Sequence, residues 1–206
     1  MSACQKRGLL IVVSGPAGSG KGTVLGSLLR DEQYRYSISA TTRAPRPGEV
    51  DGVNYHFLTR EEFEERLRAG AMLEYTEYCG NYYGTPKKEA EAVLDSGCNL
   101  LLEIEVEGAR NVKKAYPDAV LVMLLPPSFA VQEARLRGRG TETEEKIRER
   151  LARTREEVPC ITDYDYVIYN HDGRAEDAVA DIRAIVRAES CAVSRNPDAA
   201  EQYFRE

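Results

Sequence analysis

Four apolar-rich runs punctuate the chain: LLIVV (Leu9–Val13), LLLEIEV (Leu100–Val106), VLVMLL (Val120–Leu125) and the shorter YVIY (Tyr166–Tyr169). Nearly continuous apolar character suits strands buried on both faces, as in a parallel sheet. Elsewhere the apolar positions recur at helical spacing. REEFEERLRAG sets Phe63 and Leu67 four apart, and Thr59 with Glu62 reads as a capping box. KKEAEAVLDSG ends at Gly97, a helix stop. Thr141 and Glu144 predict a second capping box ahead of a long charged helix that Pro159 ends. AEDAVADIRAIVRAE lines Val179, Ile182, Ile185 and Val186 along one face, an amphipathic closing helix. Strands alternating with helices predict an α/β sheet with crossover helices.

Residues 34–86 break this rhythm. Short segments rich in Tyr, Thr and Val (YSISATTR, NYHFLT, LEYTEY) lie among prolines and glycines and predict antiparallel strands in an inserted subdomain. The final SRNPDAAEQYFRE reads as peripheral. The 206 residues, 42% hydrophobic and 30% charged, provide for a packed core with a charged surface. A net charge of −6 argues against a nucleic-acid-binding face, which needs a basic surface, but leaves room for a phosphorylated small molecule held by a few arginines. No apolar stretch is long enough to span a bilayer, and LLIVVSG is too short for a signal peptide. Five scattered cysteines without a C-x-x-C pair predict a reduced, cytoplasmic protein. Only two histidines, His56 and His171, stand far apart, which gives little support to a zinc site or Ser-His-Asp chemistry.

The most specific local signal is GPAGSGKG (Gly15, Pro16, Ala17, Gly18, Ser19, Gly20, Lys21, Gly22), placed between a predicted strand and the predicted helix TVLGSLLRDE. Glycines let the backbone curl so that N–H groups converge on phosphate, and the helix N-terminus adds partial positive charge. Lys21 supplies a compact cation for the terminal phosphates. The strict phosphate-loop pattern puts Ser or Thr directly after the lysine to meet Mg²⁺; here Gly22 takes that place and Thr23 follows, so a direct Mg²⁺ contact from Thr23 is weakly supported. The loop indicates a nucleoside triphosphate and leaves its use open among GTPases, transport ATPases and small kinases.

SISATTRAPRPGEVDGVNYHF (Ser37–Phe57) narrows the choice. Arg43 and Arg46 flank a proline-stiffened turn, and guanidinium forks match phosphate oxygens two at a time. With LEYTEYCGNYYGTP, LEIEVEGARNV, LLPPS, RLRGRGTETEEKIRERL and DYVIYN, this segment resembles the guanylate kinases, in the same order along nearly the whole chain. Those enzymes phosphorylate GMP, and GKGT is a form common among nucleoside monophosphate kinases. The resemblance implies a P-loop NTPase parallel sheet with flanking helices, an inserted mostly antiparallel β subdomain that binds GMP, and a helical lid. It spans 8–191, with core segments 8–33, 97–134 and 158–191, the insert 34–96 and the lid 135–157, leaving 192–206 as a tail.

The resemblance assigns Arg43, Arg46, Tyr55 and Tyr83 to the phosphate of GMP, and Glu74, Ser39 and Thr85 to its base. Guanine offers N1–H and an exocyclic amine side by side, and a carboxylate accepts both; a site built for that pair rejects adenine by a factor of about 10⁴. Glu103 and Glu105, two apart, fall on one face of the predicted strand, near the end where open α/β sheets bind ligands. By resemblance Glu103 faces the guanine side, and Glu105 faces the transferring phosphate and the Mg²⁺, directly or through water. In the lid, Arg135, Arg139 and Arg150 match phosphate-facing arginines, and Asn170 matches a position beside adenine. Arg148, Arg153 and Arg155 read instead as outer-face ion pairs.

The expected reaction joins ATP and GMP, and by extension dGMP, with Mg²⁺ accompanying ATP, in purine nucleotide metabolism and GMP recycling. Lys21, Arg43, Arg135, Arg139 and Arg150 are its expected catalytic cations. Three alternatives stand beside it: an AMP kinase, a non-catalytic scaffold of guanylate-kinase type, and a P-loop GTPase. Lys21, Arg43, Arg46 and Glu74 together argue against the scaffold, and no NKxD segment supports the GTPase. Nucleic acid and membrane are not expected partners, and monomer against homo-oligomer stays open.

Overall fold

The structure, a computed structural model, describes residues 7–78, 80–138, 140 and 143–204. Its elements run β1 (Leu10–Ser14), α1 (Lys21–Leu28), β2 (Tyr34–Tyr36), β3 (Ala40–Thr41), β4 (His56–Phe57), α2 (Arg60–Arg68), β5 (Met72–Tyr78), β6 (Asn81–Pro86), α3 (Lys87–Asp95), β7 (Asn99–Glu103), α4 (Val106–Ala115), β8 (Val120–Leu125), α5 (Phe129–Gly138), α6 (Glu144–Glu157), β9 (Tyr166–Tyr169), α7 (Ala175–Ser190) and α8 (Ala199–Tyr203). Short 3₁₀ turns cover Val158–Asp163 and Val193–Arg195.

The apolar runs become the central sheet, in the order β2-β7-β1-β8-β9, with every pairing parallel. The side-chain period of two divides each strand between two cores. Ile11 and Val13 of β1 pack with α1 and α7 through Leu25, Leu28, Val179 and Ile182. Leu10 and Val12 pack on the other face with Leu94, Ala109 and Val112 of α3 and α4. All five residues of β1 are buried, which is why the run lacks polar alternation.

The second sheet, β4-β3-β6-β5, differs in part from expectation. β5 and β6 form the predicted antiparallel hairpin, and β3 runs antiparallel to β6. The start of YSISATTR, however, is β2, which lies parallel to β7 in the main sheet. Tyr34 is buried in the first core, and that one anchor ties the segment to the main sheet before the chain crosses over. His56–Phe57 of NYHFLT also runs parallel, to β3.

Helix signals hold at α2, where Thr59 and Glu62 form the reciprocal capping box, and at Gly97, which follows α3 at φ 83°. The cap of α6 is displaced. Thr143, not Thr141, precedes the helix, and its hydroxyl accepts from the Lys146 N–H. Glu144 is therefore the first helical residue and cannot close a box with Thr141, which lies outside the described residues. Pro159 ends α6 as expected, by opening a 3₁₀ turn. The predicted strand Leu100–Val106 stops at Glu103; Glu105 is the N-cap of α4 and Val106 its first residue. No helix among the described residues is long and apolar enough to cross a membrane. Cys98, Cys160 and Cys191 are free thiols.

Candidate functional site

β1 delivers the chain into the glycine loop at the carboxyl edge of the sheet, the edge where open α/β sheets bind ligands. Two glycines there have no substitute. A Cβ on Gly15 would stand 2.1 Å from the Leu124 carbonyl oxygen. One on Gly20, at φ 88°, would stand 2.3 Å from Asn170 Nδ2. Gly18 also takes a left-handed conformation, at φ 84°. Gly22 has open space around it, at the exposed first turn of α1. The Lys21 ammonium donates to the Gly15 carbonyl at 2.6 Å and lies 3.4 Å from that of Pro16, so the lysine is folded over its own loop. The Ser14 and Ser19 hydroxyls are buried, with no hydrogen-bond partner among the described residues.

A cavity of about 550 Å³ opens beside this loop. Gly15, Ala17 and Lys21 line one side, Glu103, Ile104 and Glu105 the floor, Tyr36 and Tyr55 a second side, and Arg150, Arg153 and Glu157 of α6 the roof. A second cavity of about 270 Å³ lies under the small sheet, lined by Ser39, Tyr55, Glu74, Thr76, Tyr83, Gly84, Glu103, Ile104 and Glu105. Tyr55, Glu103, Ile104 and Glu105 belong to both, so the two cavities are continuous across them. Glu103 and Glu105 face the same space although only Glu103 is in the strand. The N-cap dihedrals of Glu105 (φ −78°, ψ 170°) extend the strand's line by two residues.

Glu74 closes the far end. It is 6% exposed, and the Thr85 hydroxyl donates to its Oε1 at 2.9 Å. Burial pushes its carboxyl up to about 7, against the lowering effect of the Thr85 hydrogen bonds. A Cβ on Gly108 of α4 would lie 3.3 Å from Glu74 Oε2, so this glycine gives the carboxylate its room. Thr85 acts through Glu74 and does not itself line the cavity.

Arg43 and Arg46 lie beside the cavities and are absent from their walls. Arg43 donates to Glu49 through one nitrogen, Nη2 lying 2.9 and 3.0 Å from the two carboxylate oxygens, and Nη1 donates to the Ala44 carbonyl. Its guanidinium stands 5.5 Å from the Tyr55 ring centre. The Arg46 N–H donates to Glu49 Oε2 at 2.7 Å. That bond first, and the Arg43 side chain next, hold the Glu49 carboxyl below the usual range. Glu49 is thus the anion to which the Arg43 side chain and the Arg46 backbone N–H both donate.

A third cavity, about 300 Å³, lies on the other flank of the loop between Gly18, Gly20, Thr23, Arg135, Asn170, His171 and Asp172. Arg135 donates to the Asn170 carbonyl at 2.7 Å, the Gly18 carbonyl at 3.2 Å and Asp172 at 2.8 Å. Buried Asn170 donates to the Ser19 carbonyl at 2.8 Å. Arg135 and Thr23 therefore sit away from the central cavity that holds Lys21, Glu105 and Arg150. Arg139 lies outside the described residues. Pro16 faces a separate, largely apolar cavity with Phe129, Gln132 and Tyr169.

Two contributors escaped the sequence. Gln132 of α5, 1% exposed, donates to the Ala17 carbonyl at 2.8 Å and to Thr154 Oγ1 of α6 at 2.7 Å; the Thr154 hydroxyl donates to the Arg150 carbonyl. It ties the loop to both lid helices, beside the apolar contacts of Leu136, Ile147 and Leu151 with Ala17. Its spacing of four from buried Leu136 was the available signal. Arg153, read as an outer-face residue, points inward instead and binds Glu105, while its Nε donates to Glu157 at 2.8 Å. Arg150, Arg153, Thr154 and Glu157 are spaced three, four and seven apart, one helix face.

Mg²⁺ takes few protein ligands, usually one or two carboxylates beside the nucleotide's phosphates. The donor set suits that habit. Glu103 and Glu105 share a cavity with Lys21, and no group of three or more acidic, His or Cys side chains among the described residues could hold a metal alone.

Comparison with known proteins gives one answer. A family model described as guanylate kinase matches residues 7–189. Guanylate kinase of Halalkalibacterium halodurans is 52% identical over 188 residues, 91% of each chain. That of Streptococcus thermophilus is 51% identical over 192 residues, 92% of this chain and 91% of its own. The crystal structure of guanylate kinase from Anaplasma phagocytophilum superposes with a TM-score of 0.73 at 33% identity, covering 93% of this chain and 90% of that one.

Proposed function

The chain belongs to the guanylate kinase family, and from that premise we propose that it moves the terminal phosphoryl group of ATP onto GMP, giving ADP and GDP. One observation carries the reading: the cavity ending at buried Glu74 is continuous with the cavity beside the phosphate loop. A nucleoside monophosphate with its base at Glu74 would direct its phosphate toward Lys21 and the lid.

The geometry supports the following roles. The ionised Glu74 accepts from guanine N1–H and the exocyclic amine, with Thr85 fixing its orientation and Ser39 beside it. Arg43 exchanges Glu49 for the acceptor phosphate and the Arg46 guanidinium joins it there, with Tyr55 and Tyr83 alongside. Gly15 to Gly22 and Lys21 hold the ATP phosphates, and Arg135, with Asn170, frames the other flank of the loop toward the adenosine. A phosphate oxygen of GMP forms the new bond to the γ-phosphorus as the bond to the β-γ bridging oxygen breaks; no protein nucleophile takes part, and positioning with charge neutralisation provides the catalysis. Glu105 is the side chain that would hold Mg²⁺, directly or through water, and the ion would add to the neutralisation of phosphate charge.

The test is a coupled assay of ADP release with ATP and each nucleoside monophosphate in turn. GMP supports turnover and AMP does not; turnover with AMP and none with GMP would overturn the base assignment.

A further inference from the structure

Among the described residues the central cavity is lined by four cationic and four anionic side chains, Lys21, Lys146, Arg150 and Arg153 against Glu103, Glu105, Glu149 and Glu157, so these charges balance before any phosphate enters. ATP and GMP add several negative charges to that space, and cations already there must turn from the acids to the phosphates. Arg153 is the best placed to do so among those not already assigned a role. Its guanidinium is held from two elements, by Glu105 at the N-cap of α4 and by Glu157 one turn along its own helix. Both acids and the arginine line the same wall as Lys21 and Gly15. Two-sided anchorage fixes a long side chain that would otherwise lose much of its strength to rotamer entropy. The neighbouring arginines of α6 lack this placement. Arg148 is exposed beside Glu144, and Arg155 stacks on the Phe129 ring on the helix's other side.

Building on the phosphoryl-transfer reading above, we propose that Arg153 is a further catalytic residue, a lid cation that leaves Glu105 to contact the phosphoryl group in transit. Glu105 serves as its parking site and Glu157 keeps its Nε aligned throughout. Pairing with Glu105 also gives the lid helix a docked position over the loop without nucleotide, so the arginine is in place when the phosphates arrive.

The test compares Arg153→Gln, which keeps length and removes charge, with Arg153→Lys and the control Arg148→Gln. For Arg153→Gln, kcat falls roughly 10²-fold with the KM for ATP and for GMP held. Arg153→Lys recovers part of the loss, and Arg148→Gln matches the parent. A second readout is calorimetric binding of ADP, GMP and aluminium fluoride, a planar mimic of the phosphoryl in flight. Arg153→Gln weakens the three-component complex by a factor similar to its loss in kcat and leaves binding of ADP or GMP alone as in the parent. Full turnover by Arg153→Gln overturns the proposal. So does equal impairment of the Gln and Lys variants accompanied by weaker binding of ADP and GMP singly, which would mark a purely structural residue. A parent chain that does not phosphorylate GMP removes the reaction itself; an active parent matched by Arg153→Gln removes only this role.

Discussion

β1 enters the phosphate loop with all five residues buried, paired on both sides within the main sheet, while β3 and β4 on the acceptor side are two residues long. The loop's shape is enforced by carbonyls and side chains packed against its glycines at distances no Cβ could share. The acceptor side is held by charge. Arg43 and the Arg46 N–H converge on Glu49, and Glu74 waits in a buried pocket with one hydroxyl donor. The donor end is thus shaped by backbone geometry, whereas the acceptor end is organised by charged side chains, Glu49 on Arg43 and buried Glu74. The difference suits the chemistry. Any nucleoside triphosphate presents the same phosphates to a fixed cradle, but the choice of base and acceptor depends on exchangeable, titratable partners.

Breaking the donor end has the largest effect. Lys21→Met removes the cradle's cation, and kcat falls about 10²–10³-fold or more while the melting temperature stays near the parent's, because the ammonium is partly exposed and its bonds to the Gly15 and Pro16 carbonyls lie within the loop itself. Steady-state kinetics with thermal melting checks this; unchanged turnover would remove the loop from the reaction.

Glu74→Gln strikes only the acceptor end. It replaces one acceptor with a donor facing guanine N1–H, a cost of about 3–4 kcal/mol or ~10²–10³-fold in kcat/KM for GMP, with the KM for ATP unchanged. Equal kinetics in mutant and parent would show the base is read elsewhere.

The same residue makes the acceptor end pH-sensitive. Guanine needs the carboxylate, and burial holds Glu74 near 7, so the KM for GMP rises about tenfold per pH unit below that value in the parent and stays flat in Glu74→Gln. Stability runs the other way. A carboxyl whose folded value lies above its unfolded one binds its proton more tightly in the fold. Its contribution is fully present below the unfolded value near 4.5 and is lost as pH rises through about 7. The ligand-free parent therefore loses melting temperature relative to Glu74→Gln across that interval. A parallel pair of melting curves would contradict the burial of Glu74.

The smallest effect sharpens the link between the two ends. Gln132→Leu leaves the Ala17 carbonyl and Thr154 without their shared donor, and stability falls by about 1–3 kcal/mol. The KM for ATP rises more than that for GMP, because Gln132 touches the loop and not the insert. Equal changes in both constants would show the tie to be a packing detail.

These regions were unequally legible in the sequence. Continuous apolar runs and the strand-loop-helix order were enough for the main sheet and the phosphate loop, since burial on both faces leaves an unambiguous pattern. Tyr34–Tyr36 was misassigned to the insert because three residues carry no period, and a single buried tyrosine decided its sheet. The α6 cap moved from Thr141 to Thr143 because two threonines lie within one turn and only backbone dihedrals choose between them. Glu74 had no sequence mark apart from the resemblance, and its burial comes from α4 and β6, distant in the chain. Arg153 was hidden among arginines whose composition reads as a solvated helix, and its direction depends on how α6 docks.

The exchange at Glu49 tests most directly whether the two ends face each other across one cavity. A crystal structure of the chain with GMP and a non-hydrolysable ATP analogue should show the Arg43 guanidinium turned from Glu49 to the GMP phosphate and that of Arg46 on the same phosphate, with the phosphate aimed at the γ-phosphate beside Lys21. Arg43 still paired with Glu49 while GMP is bound, or a GMP phosphate directed away from the loop, would contradict the account.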